Sequence, residues 1–257
     1  MHFKETAQVV RQDYISTDVY SIWLQTNKVA AEAKAGQFVS LYCKDGSRLL
    51  PRPISICQID KEKNRICLVY RVAGGGTKEF SRMHAGDTVE IMGPLGNGFT
   101  IKDRSAMLIA GGIGIPPMVE LAKQLHGQGC DVIAVAGYRN REVFLDKELE
   151  KYAHVVIATE DGSVGVKGNV MDAIEEQGLK AEEIYACGPM PMLRAIKKFA
   201  LREGIEAQLS MEEKMACGIG ACLACVCQST DVDEHTNVHN KRVCKDGPVF
   251  FANEIEL

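Results

Sequence analysis

The chain has 257 residues, of which 46% are hydrophobic and 25% charged. This is the composition of a folded globular protein, at a length that suits one or two domains of ordinary size, and it excludes a disordered chain, a collagen and a coiled-coil rod. Thirty basic against thirty-four acidic residues leave a net charge of −4. No overall positive field is therefore present to hold nucleic acid by its phosphates.

The most apolar stretch, residues 106–119, is 14 residues long and contains three glycines and two prolines. A spanning helix needs roughly 20 apolar residues, so no membrane partner is expected. The first residues, MHFKETAQVV, lack the basic-then-apolar order of a signal peptide. A cytoplasmic location is expected.

In chain order, residues 1–101 read as β structure. The runs FVSLYC (38–43), RICLVYRV (65–72) and DTVEIMG (87–93) are rich in β-branched and aromatic residues and are broken by KDGS, GGGT and GNG. Short, closely spaced strands predict a small antiparallel barrel. Residues 102–209 change character. The apolar strand AMLIA (106–110) leads through a glycine-rich turn to a helix over 118–129, with Met118, Leu121, Ala122 and Leu125 at helical spacing. Strands over 131–138, 154–160 and 183–188 alternate with helices over 168–177 and 191–204. That order predicts a doubly wound parallel sheet covered by helices. Residues 210–257 form a third, cysteine-rich piece, too short to build much core alone, so a metal centre is expected to organise it. The fold class is thus a β barrel plus an α/β domain, with a small C-terminal metal domain.

There are 10 cysteines. Cys43, Cys57, Cys67, Cys130 and Cys187 are scattered among apolar residues and read as small core side chains. Cys217, Cys222, Cys225, Cys227 and Cys244 crowd into one window. Cys217-x4-Cys222-x2-Cys225 followed by Cys244 has the spacing of a plant-type [2Fe–2S] centre. The intervening glycines and alanines let backbone N–H groups turn toward the sulfurs. A zinc site usually shows paired C-x2-C units, and only one is present. Cys227 is an alternative ligand to Cys225, but the spacing favours Cys225 and leaves Cys227 as a buried neighbour. His235 and His239 read as surface residues.

Arg52-Pro53-Ile54-Ser55 stands before a predicted strand. Val69-Tyr70-Arg71, Gly74-Gly75-Gly76-Thr77 and GPLGNGF (93–99) follow. Glycines ahead of a helix bare N–H groups to a pyrophosphate, and arginine offers a forked donor to phosphate. Further along come AGGIGIPPM (110–118), which follows a strand and opens a helix, and ACGPMPML (186–193). The order RPIS, YRVAGGGT, GPLGNGF, AGGIGIPPM, ACGPMPML and the cysteine window resembles the ferredoxin-NADP-reductase-like flavoprotein family over nearly the whole chain. The terminal cysteines and the length resemble its branch of dihydroorotate dehydrogenase electron-transfer subunits.

The resemblance implies FAD on the barrel, held by Arg52, Pro53, Ile54 and Ser55, flanked by Val69, Tyr70 and Arg71, with Gly76 and Thr77 at the pyrophosphate. It implies NAD(H) at Gly111, Gly112 and Gly114 and at Cys187, Gly188 and Pro189, and a [2Fe–2S] cluster on Cys217, Cys222, Cys225 and Cys244. The family tetrad usually carries tyrosine where Ile54 stands, so the ring that covers the flavin is missing. Arg139 and Arg141 follow a strand where a 2′-phosphate would sit, but they read equally as solvated turn residues, and the resemblance implies NADH. It also implies a role in pyrimidine biosynthesis: an electron relay whose acceptor or donor is an FMN-containing catalytic subunit, in a heterotetramer of two of each. No catalytic side chain is expected, since the cofactors carry the chemistry. His2, His84, His126, His154, His235 and His239 form no constellation. Two alternatives remain: the NAD(P)H-handling subunit of a ferredoxin:NADP oxidoreductase, sulfide dehydrogenase or hydrogenase, and a zinc-tailed scaffold without activity.

Overall fold

The computed structural model describes residues 2–232 and 238–257; His235 lies outside the described residues. Six antiparallel strands close into a barrel: β1 (Phe3–Ser16), β2 (Val19–Gln25), β3 (Phe38–Leu41), β4 (Arg52–Asp60), β5 (Arg65–Arg71) and β6 (Thr88–Leu95). Their order around it is β1-β2-β5-β4-β3-β6. Two short helices, α1 (Val29–Glu32) and α2 (Gly75–Phe80), lie in its connections. Inward residues such as Ile22, Leu24, Val39, Leu41, Ile56, Leu68 and Ile91 are completely buried and fill the barrel.

The second layer is a seven-stranded sheet. In chain order its elements are β7 (Ala106–Gly111), α3 (Pro116–Gly127), β8 (Val132–Tyr138), α4 (Asp146–Leu149), β9 (His154–Thr159), β10 (Val166–Lys167), α5 (Val170–Glu176), β11 (Glu183–Cys187), α6 (Met190–Glu203) and β12 (Glu206–Ser210). The order β10-β9-β8-β7-β11-β12 is parallel throughout. Strand β7 is continuously apolar and buried, and β11 is apolar after Glu183, because helices cover both faces. The stripe Met118, Leu121, Ala122 and Leu125 on α3 is buried as its spacing requires.

Two features of the fold were not evident in the sequence. Strand β1 has 14 residues, yet only Ala7 and Val9 along it are buried; its outer residues are charged or polar, and a register shift after Val9 breaks the alternation. The RPIS tetrad does not precede a strand but begins β4, with Arg52 to Ser55 paired to Leu41 to Phe38. Pro53 reads as a break in sequence because it lacks an N–H, but proline is tolerated at a strand's start.

The C-terminal region contains β13 (Val226–Gln228) and β14 (Asn240–Arg242), an antiparallel pair, and β15 (Val249–Phe251). Strand β15 adds to the large sheet, antiparallel to β12. Cys225, Cys227, Val243, Cys244 and Phe250 share one apolar cluster with Leu193, Ile196 and Leu209 of the sheet layer and with Phe38 and Leu95 of the barrel. GPLGNGF serves this junction. Asn97 N–H donates to Gly247 O at 2.6 Å, and Asn97 Nδ2 donates to Asp246 O at 2.9 Å. No helix among the described residues is long and apolar enough to cross a membrane.

Barrel and sheet are joined by polar contacts as well. Glu120 on α3, 3% exposed, accepts from Ile59 N–H of β4 at 2.8 Å and from Gln124 Nε2 at 2.9 Å. Lys123 Nζ donates to Ile59 O at 2.8 Å. Replacing Glu120 by alanine strands a buried amide and empties part of the joint, which costs about 2–3 kcal/mol. A Glu120→Ala protein is expected to melt about 5 °C or more below the parent in a thermal scan; an unchanged midpoint would remove this joint from the account.

Candidate functional site

The parallel sheet places two turns side by side. Strand β7 ends at Gly111, a 3-10 turn covers Gly112–Gly114, and α3 starts with proline in its first turn. Strand β11 ends at Cys187, and Pro189 caps α6. β7 and β11 are neighbours, with Ala110 opposite Cys187, and chain order reverses between them. Ligands of open α/β sheets bind in the crevice at this switch point, beyond the carboxyl ends of the strands. The turns touch: a Cβ on Gly114 would lie 2.3 Å from Cys187 O and 2.8 Å from Gly188 Cα. Glycine at 114 is therefore a steric requirement. Six of the residues expected at the nicotinamide nucleotide are thus brought together: Gly111, Gly112, Gly114, Cys187, Gly188 and Pro189. The Cys187 thiol is pushed up to about 12 by burial, partly offset by a hydrogen bond with Ser210, so it stays neutral near pH 7. Arg139 and Arg141 are exposed beyond β8.

The barrel presents the second locus. The Arg52 guanidinium lies over Gly76: a Cβ there would come within 2.5 Å of Arg52 Nε. Arg48 lies over Gly75 in the same way, its Nε 3.0 Å from a Cβ there, and is held by Asp45 at 3.4 Å and by Glu79. Thr77 Oγ1 accepts from Ala73 N–H at 2.9 Å and Gly74 N–H at 3.2 Å, which closes the turn and leaves the first amides of α2 without intrahelical acceptors. Two cations beside a bared turn have the chemistry that suits a diphosphate. Arg48 was not among the expected residues; its signal in the sequence is a cation four positions before Arg52, in the turn leading into the same strand.

The tetrad's side chains divide between the two faces of β4. Ile54 packs, partly buried, against the barrel interior, so it does not replace the absent tyrosine as a cover. Tyr70 also turns inward. It is 1% exposed, stacks on Tyr20 at 6.0 Å and donates to Gln12 Oε1 at 3.0 Å. Gln12 Nε2 in turn donates to Phe80 O and Met83 O at the end of α2. The Tyr70 ring therefore supports the phosphate-side helix from within. Val69 faces the other way, in an apolar cluster with Ile115 and, at its edge, Ile113 and Cys187. The barrel locus and the two nucleotide turns are thus in apolar contact.

The third locus is the cysteine loop. Gly218 and Gly220 adopt φ of +70° and +84°, a conformation that favours glycine. They turn the intervening amides inward. Ile219 and Ala221 N–H donate to Cys217 Sγ at 3.5 and 3.3 Å, Gly220 N–H to Cys244 Sγ at 3.1 Å, and Cys244 N–H to Cys225 Sγ at 3.4 Å. Desolvation raises the Cys217 thiol, but hydrogen bonds from Ile219, Cys222 and Ala221 outweigh it and bring it down to about 6. Cys244 is pushed up to about 12 by burial and by its hydrogen bond with Cys225. The four sulfurs thus come as two pairs, Cys217 with Cys222 and Cys225 with Cys244. Two thiol pairs ringed by inward amides suit a cluster with two irons. Cys227 stands outside this set: it is buried in the shared core, and burial pushes it up to about 11. His239 is exposed and bonded to Ser229 O.

Comparisons with known proteins agree with this division. Residues 6–99 match the oxidoreductase FAD-binding domain, residues 108–198 the oxidoreductase NAD-binding domain, and residues 212–256 the iron–sulfur cluster binding domain of dihydroorotate dehydrogenase B. The dihydroorotate dehydrogenase B (NAD(+)) electron transfer subunit of Listeria monocytogenes serotype 4a is 43% identical over 255 residues, covering 97% of this chain and 98% of that protein. The protein of the same name from Streptococcus mutans serotype c is 43% identical over the full length of both chains. A solved NADH-dependent reduced ferredoxin-NADP oxidoreductase superposes with a TM-score of 0.87 at 28% identity, covering 97% of this chain and 89% of that one. The chain belongs to the dihydroorotate dehydrogenase B (NAD(+)) electron transfer subunit family of oxidoreductases, with FAD-binding, NAD-binding and iron–sulfur cluster-binding domains.

Proposed function

We propose that this chain relays electrons between NAD(H) and an FMN-containing dihydroorotate dehydrogenase catalytic subunit, in the cytoplasm and in the service of pyrimidine biosynthesis. The assembly is a heterotetramer with two copies of each subunit. The observation that carries this reading is the meeting of the three loci in one chain: nucleotide turns at the β7/β11 switch point, a cationic cradle on the barrel, and a paired-thiol loop against the barrel's other flank. Full-length identity above 40% to proteins named as electron transfer subunits supports the partner. Ten free cysteines are in keeping with a reducing compartment.

Each locus has a physical task. Arg52 neutralises charge on the FAD diphosphate, Arg48 stands beside it paired with Asp45 and Glu79, and Gly76 keeps the cradle open to it. Pro53, Ile54 and Ser55 carry the strand edge along the flavin, Val69 and Arg71 flank it, Tyr70 props the helix behind it, and Thr77 caps the turn. Gly111, Gly112, Gly114, Cys187, Gly188 and Pro189 seat the nicotinamide nucleotide and exclude water from the contact with the barrel. Cys217, Cys222, Cys225 and Cys244 would hold the [2Fe–2S] cluster. When bound, these groups supply hydride exchange and single-electron transfer. The units run over residues 1–101, 102–209 and 210–257.

Two results test these assignments. Serine at Cys217, Cys225 or Cys244 is expected to abolish iron binding and the broad visible shoulder, while Cys227→Ser keeps both; iron loss in the Cys227 variant alone would reassign the ligands. Arg52→Ala is expected to weaken FAD binding roughly tenfold to a hundredfold, the value of a charge-assisted contact, in a fluorescence titration of flavin-stripped protein. Unchanged affinity would move the diphosphate elsewhere. Co-purification decides the partner: recovery of an FMN-containing dihydroorotate-oxidising chain supports the reading, and recovery of a ferredoxin-oxidoreductase partner overturns it.

A further inference from the structure

Strand β3 has four residues, all buried. Val39 and Leu41 enter the barrel core. Phe38 and Ser40 point the other way, and Phe38 joins the apolar cluster that contains Cys225 and Cys244. Ser40 is 1% exposed, and its hydroxyl has no hydrogen-bond partner among the described residues. Buried hydroxyls are rarely left without a partner, because desolvation then goes uncompensated.

The direction of that hydroxyl is set by its neighbours. A Cβ on Gly218 would lie 3.0 Å from Ser40 Oγ, 3.5 Å from Leu95 Cδ1 and 3.9 Å from Met92 Cε. Gly218 is itself buried and follows Cys217 directly. The hydroxyl therefore abuts the loop whose amides already converge on sulfur. On its other side, the β4 residue paired with Ser40 is Pro53, within the RPIS tetrad. Ser40 is thus a neighbour both of the RPIS tetrad along the sheet and of the cysteine loop above it.

We propose that Ser40 donates a hydrogen bond from its hydroxyl to a sulfur of the iron–sulfur centre, on the side facing the flavin, and so raises the centre's reduction potential. This rests on the reading that Cys217, Cys222, Cys225 and Cys244 hold that centre. A donor to sulfur stabilises the more negative, reduced form. The bare peptide at Gly218 leaves room for the approach, and the burial of Ser40 keeps water from competing for its hydroxyl.

The test uses the full chain with its cofactors. Ser40→Ala removes one oxygen from a buried site without adding volume. Iron content and the visible spectrum establish that the centre is present. A reductive titration followed by electron paramagnetic resonance then gives its midpoint. The variant's midpoint is expected to fall by about 59 mV, which is a tenfold change in the one-electron equilibrium. Hyperfine spectra of the reduced centre in H2O and D2O are expected to lose one exchangeable proton coupling in the variant. A variant with full iron, an unchanged midpoint and the same couplings overturns the proposal and leaves the ligand assignment intact. A parent protein without iron overturns both. Ser40→Thr, which keeps the hydroxyl, is expected to retain the lost coupling; its absence there, in an iron-loaded protein, counts against the hydrogen bond.

Discussion

The outer face of the six-strand barrel is apolar on two flanks, and the rest of the molecule follows from how those flanks are covered. On one flank Val19, Cys57, Cys67 and Val69 meet Ile115, Met118 and Val119 of α3 and the turn before it. On the other, Phe38 and Leu95 meet Cys225, Val243, Cys244 and Phe250. A small barrel has no room for a large ligand inside, because side chains fill it. A large ligand of such a barrel must therefore lie on its outside. The requirement to bury apolar surface thus brings the turns after β7 and β11 to one flank of the barrel and the cysteine loop to the other.

Polar groups fix the register of these joints. Glu120 and Lys123 bind the backbone of Ile59. Gln208 accepts from Thr100 N–H and donates to Thr100 O at 2.9 and 2.8 Å, which locks the connection between barrel and sheet. Strand β15 runs antiparallel on the edge of an otherwise parallel sheet, so the cysteine region is anchored to the nucleotide-binding layer rather than hung from it. The three redox loci are thereby held at set separations, which electron transfer between them requires.

Much of this is legible in the sequence because the residues involved have few alternatives. The C-x4-C-x2-C window is short, and its glycines and alanines leave sulfur and backbone amides as the only polar groups. The stripe Met118, Leu121, Ala122 and Leu125 reports a helix because period 3.6 is hard to imitate. Other features are hidden for physical reasons. Strand β1 buries only Ala7 and Val9, and the register shift after Val9 ends its alternation half-way along. The inward turn of Tyr70 and Ile54 depends on strand pairing, which a motif does not encode. Arg48 and Ser40 are unremarkable in sequence; only the long-range approach of Gly75 to one and Gly218 to the other gives them meaning. The role of GPLGNGF in holding the C-terminal segment likewise depends on a contact between Asn97 and Gly247, residues far apart in sequence.

The central claim is that one chain passes electrons from a nicotinamide nucleotide through flavin to an iron–sulfur centre without help from its partner. The most direct measurement is an anaerobic NADH titration of the isolated, iron-loaded chain, followed by visible absorption and electron paramagnetic resonance together. The account predicts that the flavin bands bleach and that the signal of a reduced iron–sulfur centre grows in with them. Flavin that bleaches while an intact, iron-loaded centre stays oxidised, even with NADH in excess, would contradict it.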